Sequence, residues 1–255
     1  MRRWVWITTL EMEWLDDAIV LGARPFGESK AIAEVFARSH GRYGGVVHGG
    51  MGKTMRPILQ AGNLVRVGWK ARLSEQLGFY SPLDLLEPHA GKLFDDPIAL
   101  AGLSSAIELT RAATAERQSY PGLYDALLVL IAALPNKDMW APLYARFEIG
   151  LLAEMGYGLD LERCALTGVG EDLAFVSPRS GRAASAEAGA PYAEKLLRLP
   201  PFLVRNDASI ESGDVADALA LAGYFLERRV FDARGENLPE IRRRLIERLG
   251  FAGRL

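Results

Sequence analysis

The apolar residues of this chain fall into two regimes that meet near residue 88. Upstream they alternate or cluster in short runs over residues 17–24 (DAIVLGAR), 31–38 (AIAEVFAR), 44–49 (GGVVHG), 63–73 (NLVRVGWKARL) and 77–87 (LGFYSPLDLLE). Glycine-bearing turns separate these runs, which predicts five β-strands. Downstream the period changes to about 3.6 residues, which predicts helices over 97–118, 121–134, 139–155, 213–229 and 240–250. Each of the first three starts near a proline or an aspartate, and the third stops at Gly156, as helix start and stop signals require.

Five short strands with one longer connection, residues 50–62, predict a small barrel, with a short helix expected in that connection at 57–61. On pattern alone an oligonucleotide-binding (OB) barrel and an SH3-like barrel both fit. The stretch 164–207 is rich in glycine, serine and proline, and predicts an inserted subdomain holding a small hairpin at most. Residues 196–204 (LLRLPPFLV) return the chain to the core. The expected organisation is α+β: an extension over 1–11 ahead of Met12, a barrel over 12–88, and a helical domain over 89–255 carrying the insert 164–207.

Composition narrows the class. With 255 residues, 49% hydrophobic and 24% charged, the chain is globular and long enough to bury a sizeable core. Its start, MRRWVWITTLEMEWLDD, breaks at Thr8, Thr9 and Glu11, too soon for a membrane span or a secretion signal. The single cysteine, Cys164, allows neither an intrachain disulfide nor a zinc site of several cysteines. A cytoplasmic location follows as the expectation.

The net charge of −2 announces no polyanionic partner, so any basic surface must be local. One is visible: between Val35 and Ser74 there is no acidic residue, while Arg38, Arg42, Lys53, Arg56, Arg66, Lys70 and Arg72 all lie there with His40 and His48. Tyr43, Trp69, Phe79 and Tyr80 are interleaved with these cations or follow them. A cationic groove beside aromatic side chains is how single strands are held without sequence preference. The alternative is that the aromatics are barrel core and the arginines solvated strand edges.

No motif supports an enzyme. Gly52-Lys53-Thr54 ends like a phosphate-binding loop, but the glycine needed five residues before Gly52 is replaced by Val47, and Pro57 stands where the following helix needs an N–H. His40, His48 and His89 are not at metal-ligand spacing, and the adjacent pairs Asp16-Asp17 and Asp95-Asp96 suit turns and helix starts. Cys164 would be reactive only if a cation such as Arg163 lowered its pKa. The run Arg242-Arg243-Arg244 reads as a solvated helix face or a further DNA contact.

Four stretches, 18–50 (AIVLGARPFGESKAIAEVFARSHGRYGGVVHGG), 56–72 (RPILQAGNLVRVGWKAR), 146–168 (RFEIGLLAEMGYGLDLERCALTG) and 172–185 (DLAFVSPRSGRAAS), in this order and spacing, resemble the RecO family of bacterial DNA repair and recombination mediators. The likeness runs from about Met12 to Leu249. It implies an N-terminal OB barrel, a helical domain and, in many members, a zinc-binding insert. It also implies binding of single- and double-stranded DNA and annealing of complementary strands. With the partner RecR, it implies loading of RecA onto DNA coated by single-strand-binding protein, without ATP.

Two departures matter. Zinc-bearing members carry two Cys-x-x-Cys pairs; here Cys164 is followed by Thr167 and the second pair is missing, so the insert is expected to fold without metal. The loop that is often strongly basic in the family here has only Lys53 and Arg56. The expected DNA-contacting residues are Arg38, Arg42, Tyr43, Lys53, Arg56, Arg66, Lys70 and Arg72, and Arg146 is expected to receive the acidic C-terminal tail of single-strand-binding protein. No catalytic residue, cofactor, metal or membrane partner is expected. A protein-interaction scaffold, with the barrel binding a protein, is the alternative.

Overall fold

The computed structural model describes residues 12–73 and 76–255. The expected extension over 1–11 lies outside the described residues. The chain divides into two compact units: one runs through Lys92 and includes Ala115–Pro121, the other comprises Leu93–Thr114 and Gly122–Leu255.

The first unit is a five-stranded sheet of the OB type. Strands β1 (Met12–Phe26), β2 (Lys30–Ala37), β3 (Gly41–Val47), β4 (Leu64–Ala71) and β5 (Gly78–Glu87) pair in the closed order β1-β2-β3-β5-β4. Only β3 and β5 run parallel; all other pairs are antiparallel. The period-two pattern explains the closure. Ala31, Ala33, Val35 and Ala37 of β2 and Val65, Val67, Trp69 and Ala71 of β4 all face the interior core. Three alanines on one inner face leave room for the large Trp69 ring and Tyr80 to fill the middle. A bulge between Val20 and Gly22 bends β1 so that it can serve both neighbours.

Between β3 and β4 lies α1 (Met55–Ile58), two residues ahead of its predicted place. Pro57 sits in its first turn, where its missing N–H costs nothing. Met51, Met55 and Ile58 pack against the barrel core, which anchors the loop.

The second unit contains α2 (Pro97–Ala113), α3 (Pro121–Ala133), α4 (Trp140–Glu154), β6 (Leu173–Val176), β7 (Ala183–Ser185), α5 (Ala186–Gly189), β8 (Leu197–Arg198), α6 (Asp214–Phe225) and α7 (Glu240–Phe251). Asp96 caps α2, its Oδ1 accepting from the Ile98 and Ala99 N–H groups at 3.0 Å each. α2 stops at Thr114, short of the predicted 118, because the next residues leave the helix. Arg117 has a φ of 62°, and Ala115–Pro121 clusters with the barrel unit instead. α6 continues into a π-helical turn over Leu226–Phe231.

α2 packs along α7 and α4 along α6. A buried ion pair ties these helices together: Arg242 Nε and Nη2 of α7 donate to Glu148 Oε1 and Oε2 of α4 at 2.6 and 2.8 Å, and Nη2 also donates to the Leu219 carbonyl of α6 at 2.7 Å. Arg242 is thus a core strut rather than a surface cation. Arg243 and Arg244 face solvent, paired with Glu240 and, for Arg243, also with Glu247.

The insert differs from the expected hairpin. It forms a three-stranded antiparallel sheet in the order β7-β6-β8, with Phe175 and Val176 opposite Arg198 and Leu197. A two-residue strand is too short to leave a period in the sequence, and only pairing with β6 defines it.

Candidate nucleic-acid interface

The strand pleat decides where each barrel cation points. On β4, burial of Val65, Val67, Trp69 and Ala71 sends Arg66 and Lys70 outward, with Arg72 next along the chain. β1 pairs with β4 so that Asp17 stands opposite Arg66 and Glu13 opposite Lys70. Both pairs close: Arg66 Nε and Nη2 donate to the two Asp17 oxygens at 2.8 and 3.2 Å, and Lys70 Nζ lies 2.6 Å from Glu13 Oε1. The hydrogen bond and charge of Asp17 raise the Arg66 guanidinium pKa, with Asp84 on β5 adding to it.

On β3, Arg42 Nη1 donates to Glu34 Oε1 at 2.6 Å and lies 3.8 Å from Glu116 Oε1, with 17% of its side chain exposed. The stretch 115–121 is docked here. The Arg117 N–H donates to the Arg42 carbonyl at 2.9 Å, Ser119 Oγ donates to the Arg38 carbonyl at 3.1 Å, and the Arg117 guanidinium sits 5.5 Å above the Tyr43 ring. Gly41 makes this approach possible: its φ is +75°, and a Cβ there would lie 1.7 Å from the Gln118 carbonyl oxygen. Arg38 is exposed at the end of β2.

Lys53 and Arg56 lie exposed in the β3–β4 loop. Together with Arg72 they make no ion pair among the described residues. Several of the loop's amides turn onto nearby carbonyls: Gly50 donates to Val47, Gly52 to Gly49, Met55 and Arg56 to Gly52, and Met51 to Ser29 just ahead of β2.

The aromatic residues separate into two sets. Trp69 is buried, its Nε1 donating to the Gly44 carbonyl at 3.1 Å, and Tyr80 is buried with its hydroxyl on the Tyr43 carbonyl at 3.0 Å. Burial first, then the charge of Glu34, pushes the Tyr80 phenol well above its ordinary pKa. Tyr43 is half-buried in a cluster with Trp14, Trp69 and His40, in which the Trp14 and His40 rings stack at 4.3 Å. His40 is held by Asp16 at 3.0 Å. Phe79 is different: it is 40% exposed, opposite Lys70 in register and beside His48, whose ring centroid is 6.5 Å away.

The structure therefore brings Arg66, Lys70, Arg72 and Phe79 to the β4–β5 surface and leaves Lys53 and Arg56 on the neighbouring loop, while Arg42 and Tyr43 are engaged by 115–121. Sequence reasoning missed the carboxylates of Glu13, Asp17 and Glu34 and the arrival of Glu116 and Arg117. The first two were within reach. Glu13 and Asp17 are four residues apart, as are Arg66 and Lys70, so each pair shares one strand face.

In the second unit, Arg146 of α4 lines a cavity of about 300 Å³ with Asp125, Ala126, Val129, Leu130, Leu143 and Phe147. Its guanidinium donates to the Phe202 carbonyl at 3.1 Å and to Asn206 Oδ1 at 3.0 Å, and stands over the Phe202 ring. These hydrogen bonds fix the side chain.

Cys164 is buried in the insert, and Ser185 Oγ donates to its Sγ at 3.6 Å. Burial pushes the thiol pKa up, but hydrogen bonds from Thr167, Ser185 and the local backbone outweigh it and bring the thiol to about 6. One thiol with two neutral hydroxyls is a poor donor set for zinc. Among the described residues no cluster of three or more His, Cys, Asp or Glu side chains could hold a metal. Among the same residues, no helix is long and apolar enough to cross a membrane.

Comparison with known proteins accounts for both units. Residues 12–89 match the family Recombination protein O N terminal, and residues 95–237 match Recombination protein O C terminal. The DNA repair protein RecO of Rhodospirillum centenum is 50% identical over 239 residues, covering 93% of this chain and 94% of that protein. Its counterparts in Phenylobacterium zucineum and Caulobacter sp. are each 46% identical over 244 residues, covering 96% of this chain and 100% of those proteins. With an OB-type sheet, a helical second unit and relatives matching along nearly its full length, this chain belongs to the RecO family of DNA repair proteins.

Proposed function

We propose that the chain is a recombination mediator that binds single- and double-stranded DNA, anneals complementary strands and, with RecR, loads RecA onto DNA coated by single-strand-binding protein. The barrel, residues 12–88, takes the strand, and the helical region 89–255, with its metal-free insert 164–207, takes protein partners. Pairing two polyanions needs neutralised phosphates and strand proximity rather than a bond-making step, so no catalytic residue and no cofactor are assigned. The protein acts in the cytoplasm, at the nucleoid.

The observation that carries this reading is the trio Lys53, Arg56 and Arg72, exposed on the barrel with no carboxylate partner among the described residues. Arg66 and Lys70 of β4 exchange their carboxylates for phosphates on binding. The test is fluorescence anisotropy of a labelled single-stranded oligonucleotide titrated across salt concentrations, without metal or nucleotide. The parent's log affinity falls linearly with log salt. Replacing Lys53, Arg56 and Arg72 by glutamate lowers that slope by about 2, at about 0.7 for each phosphate that is no longer neutralised. An unchanged slope and affinity in the variant would remove these residues from the site.

Arg146 and its apolar cavity fit the acidic, hydrophobic-ended tail of single-strand-binding protein. A tail peptide that binds the Arg146→Ala variant as tightly as the parent would refute that assignment. One observation favours a scaffold instead: Arg42, Arg66 and Lys70 are already paired with carboxylates of the barrel's own strands. A scaffold shows little salt-dependent binding of bare DNA, so the same titration separates the two.

A further inference from the structure

Within the second unit, the insert and the segment after β8 form a cleft of about 850 Å³ that shares no lining residue with the Arg146 cavity. Three stretches supply most of its wall: 159–162, 170–174 and 201–205. Leu159, Leu161, Leu173, Leu203 and Val204 give it apolar surface, while Glu162, Glu171 and Asp172 line it with one cation, Arg205. A cleft of this size, with apolar walls and a few polar groups, has the make-up of a binding site.

Each stretch is pinned by bonds of its own, so the walls are preorganised. The Asp160 N–H donates to the Gly181 carbonyl at 3.0 Å, and its carbonyl accepts from the Ala183 N–H at 2.8 Å. The Asp172 carbonyl accepts from the Ala186 N–H at 2.8 Å. The Phe202 and Arg205 carbonyls accept from the Arg146 guanidinium at 3.1 and 3.5 Å.

The charges of the cleft are uncommitted. Asp160 pairs with Arg182 at 3.2 Å, but Glu162, Glu171, Asp172 and Arg205 form no ion pair among the described residues. Three carboxylates against one guanidinium attract a cation and repel phosphate. A metal ion does not answer this balance, since among the described residues no three such side chains are grouped to hold one. The matching cation therefore carries several charges spaced along its length. The aliphatic wall adds a second requirement, apolar side chains between those charges. A peptide segment that alternates Lys or Arg with Leu, Ile or Val meets both.

We infer that this cleft docks a basic, apolar peptide segment of a protein partner. The inference does not rest on the DNA-binding reading, because the carboxylates of the cleft repel a phosphate backbone.

The test is fluorescence anisotropy of a labelled Lys-Leu-Lys-Leu-Lys-Leu peptide with the full chain at low salt. Unlabelled Lys-Leu-Lys-Leu-Lys-Leu, Lys-Gly-Lys-Gly-Lys-Gly and spermine serve as competitors. The cleft variant, Glu162→Gln/Glu171→Gln/Asp172→Asn, changes only exposed residues, and asparagine tolerates the φ of 51° at Asp172. Its control, Glu194→Gln/Asp207→Asn/Glu236→Gln, removes the same charge at exposed positions that do not line the cleft. Val204→Ser removes apolar surface at a residue 36% exposed and leaves the charge alone. Thermal melting checks the folding of each, and if the cleft variant melts early, Val204→Ser decides.

The cleft variant is expected to bind the peptide about tenfold more weakly than the parent, and Val204→Ser about threefold. The control variant binds as tightly as the parent, and the glycine peptide competes at least about tenfold less well than the leucine peptide. An equal loss in the control variant reduces the binding to net charge and overturns the site. Unchanged affinity in the cleft variant and in Val204→Ser overturns it too, as does a parent that binds no peptide. Spermine that competes as well as the leucine peptide makes the cleft a polyamine site, and the inference fails.

Discussion

Glu148 shows how far a single residue's role departs from its sequence neighbourhood. It lies in the Arg146-Phe147-Glu148 stretch of α4, fully buried, and receives two hydrogen bonds from Arg242 of α7. Removing one partner of a buried pair strands the other charge, so Glu148→Ala is expected to cost about 3–5 kcal/mol in urea unfolding. Cys164 carries a different residue-scale prediction. Its thiol is lowered to about 6 against an ordinary value of 9.0, so its stabilisation is full above about 9, declines as pH falls, and is gone below about 6. The parent's melting temperature should therefore fall more between pH 9 and 6 than that of Cys164→Ala; parallel curves would show that the thiol does not ionise in the folded state.

At the scale of elements, the turn-bounded runs of apolar residues located all five barrel strands, because burial on one face forces a period of two. The same logic fixed which way Arg66 and Lys70 point. The end of α2 escaped it: 97–118 looks helical throughout, yet residues 115–121 leave the helix to dock on β3 through Arg117, Gln118 and Ser119. Gly41 is the hinge of that docking. Gly41→Ala forces a Cβ into the Gln118 carbonyl at a positive φ, and is expected to cost at least about 2 kcal/mol and to expose 115–121 to proteases. Limited proteolysis that leaves this segment as protected as in the parent would argue against the docking. The three-stranded insert escaped for another reason, since a two-residue strand has no period to read.

Across the whole molecule, the acid-free stretch 35–74 remains the main electrostatic feature, but pairing with β1 and β2 mixes it with Glu13, Asp17 and Glu34. On the proposed DNA-binding reading, fewer phosphates are neutralised than the number of basic residues in the stretch suggests. Duplex DNA has the higher charge density, so the same cations should give a salt slope about 1.3 times steeper for duplex than for single strands. A duplex slope no steeper than the single-strand slope would mean that fewer phosphates are engaged on duplex.

By itself the sequence determined the two-part architecture, with five strands ahead of a helical region, and the family, because these depend on periodicity, spacing and order along the chain; the choice of an OB over an SH3-like barrel came with the family resemblance. Only the tertiary structure decided which cations have a carboxylate partner. A cation's partner depends on which strand or helix lies beside it: Arg66 and Lys70 meet β1, and Arg242 meets α4. Such neighbours are distant in sequence. They are fixed by strand register and helix packing, which the order of charges along the chain does not encode.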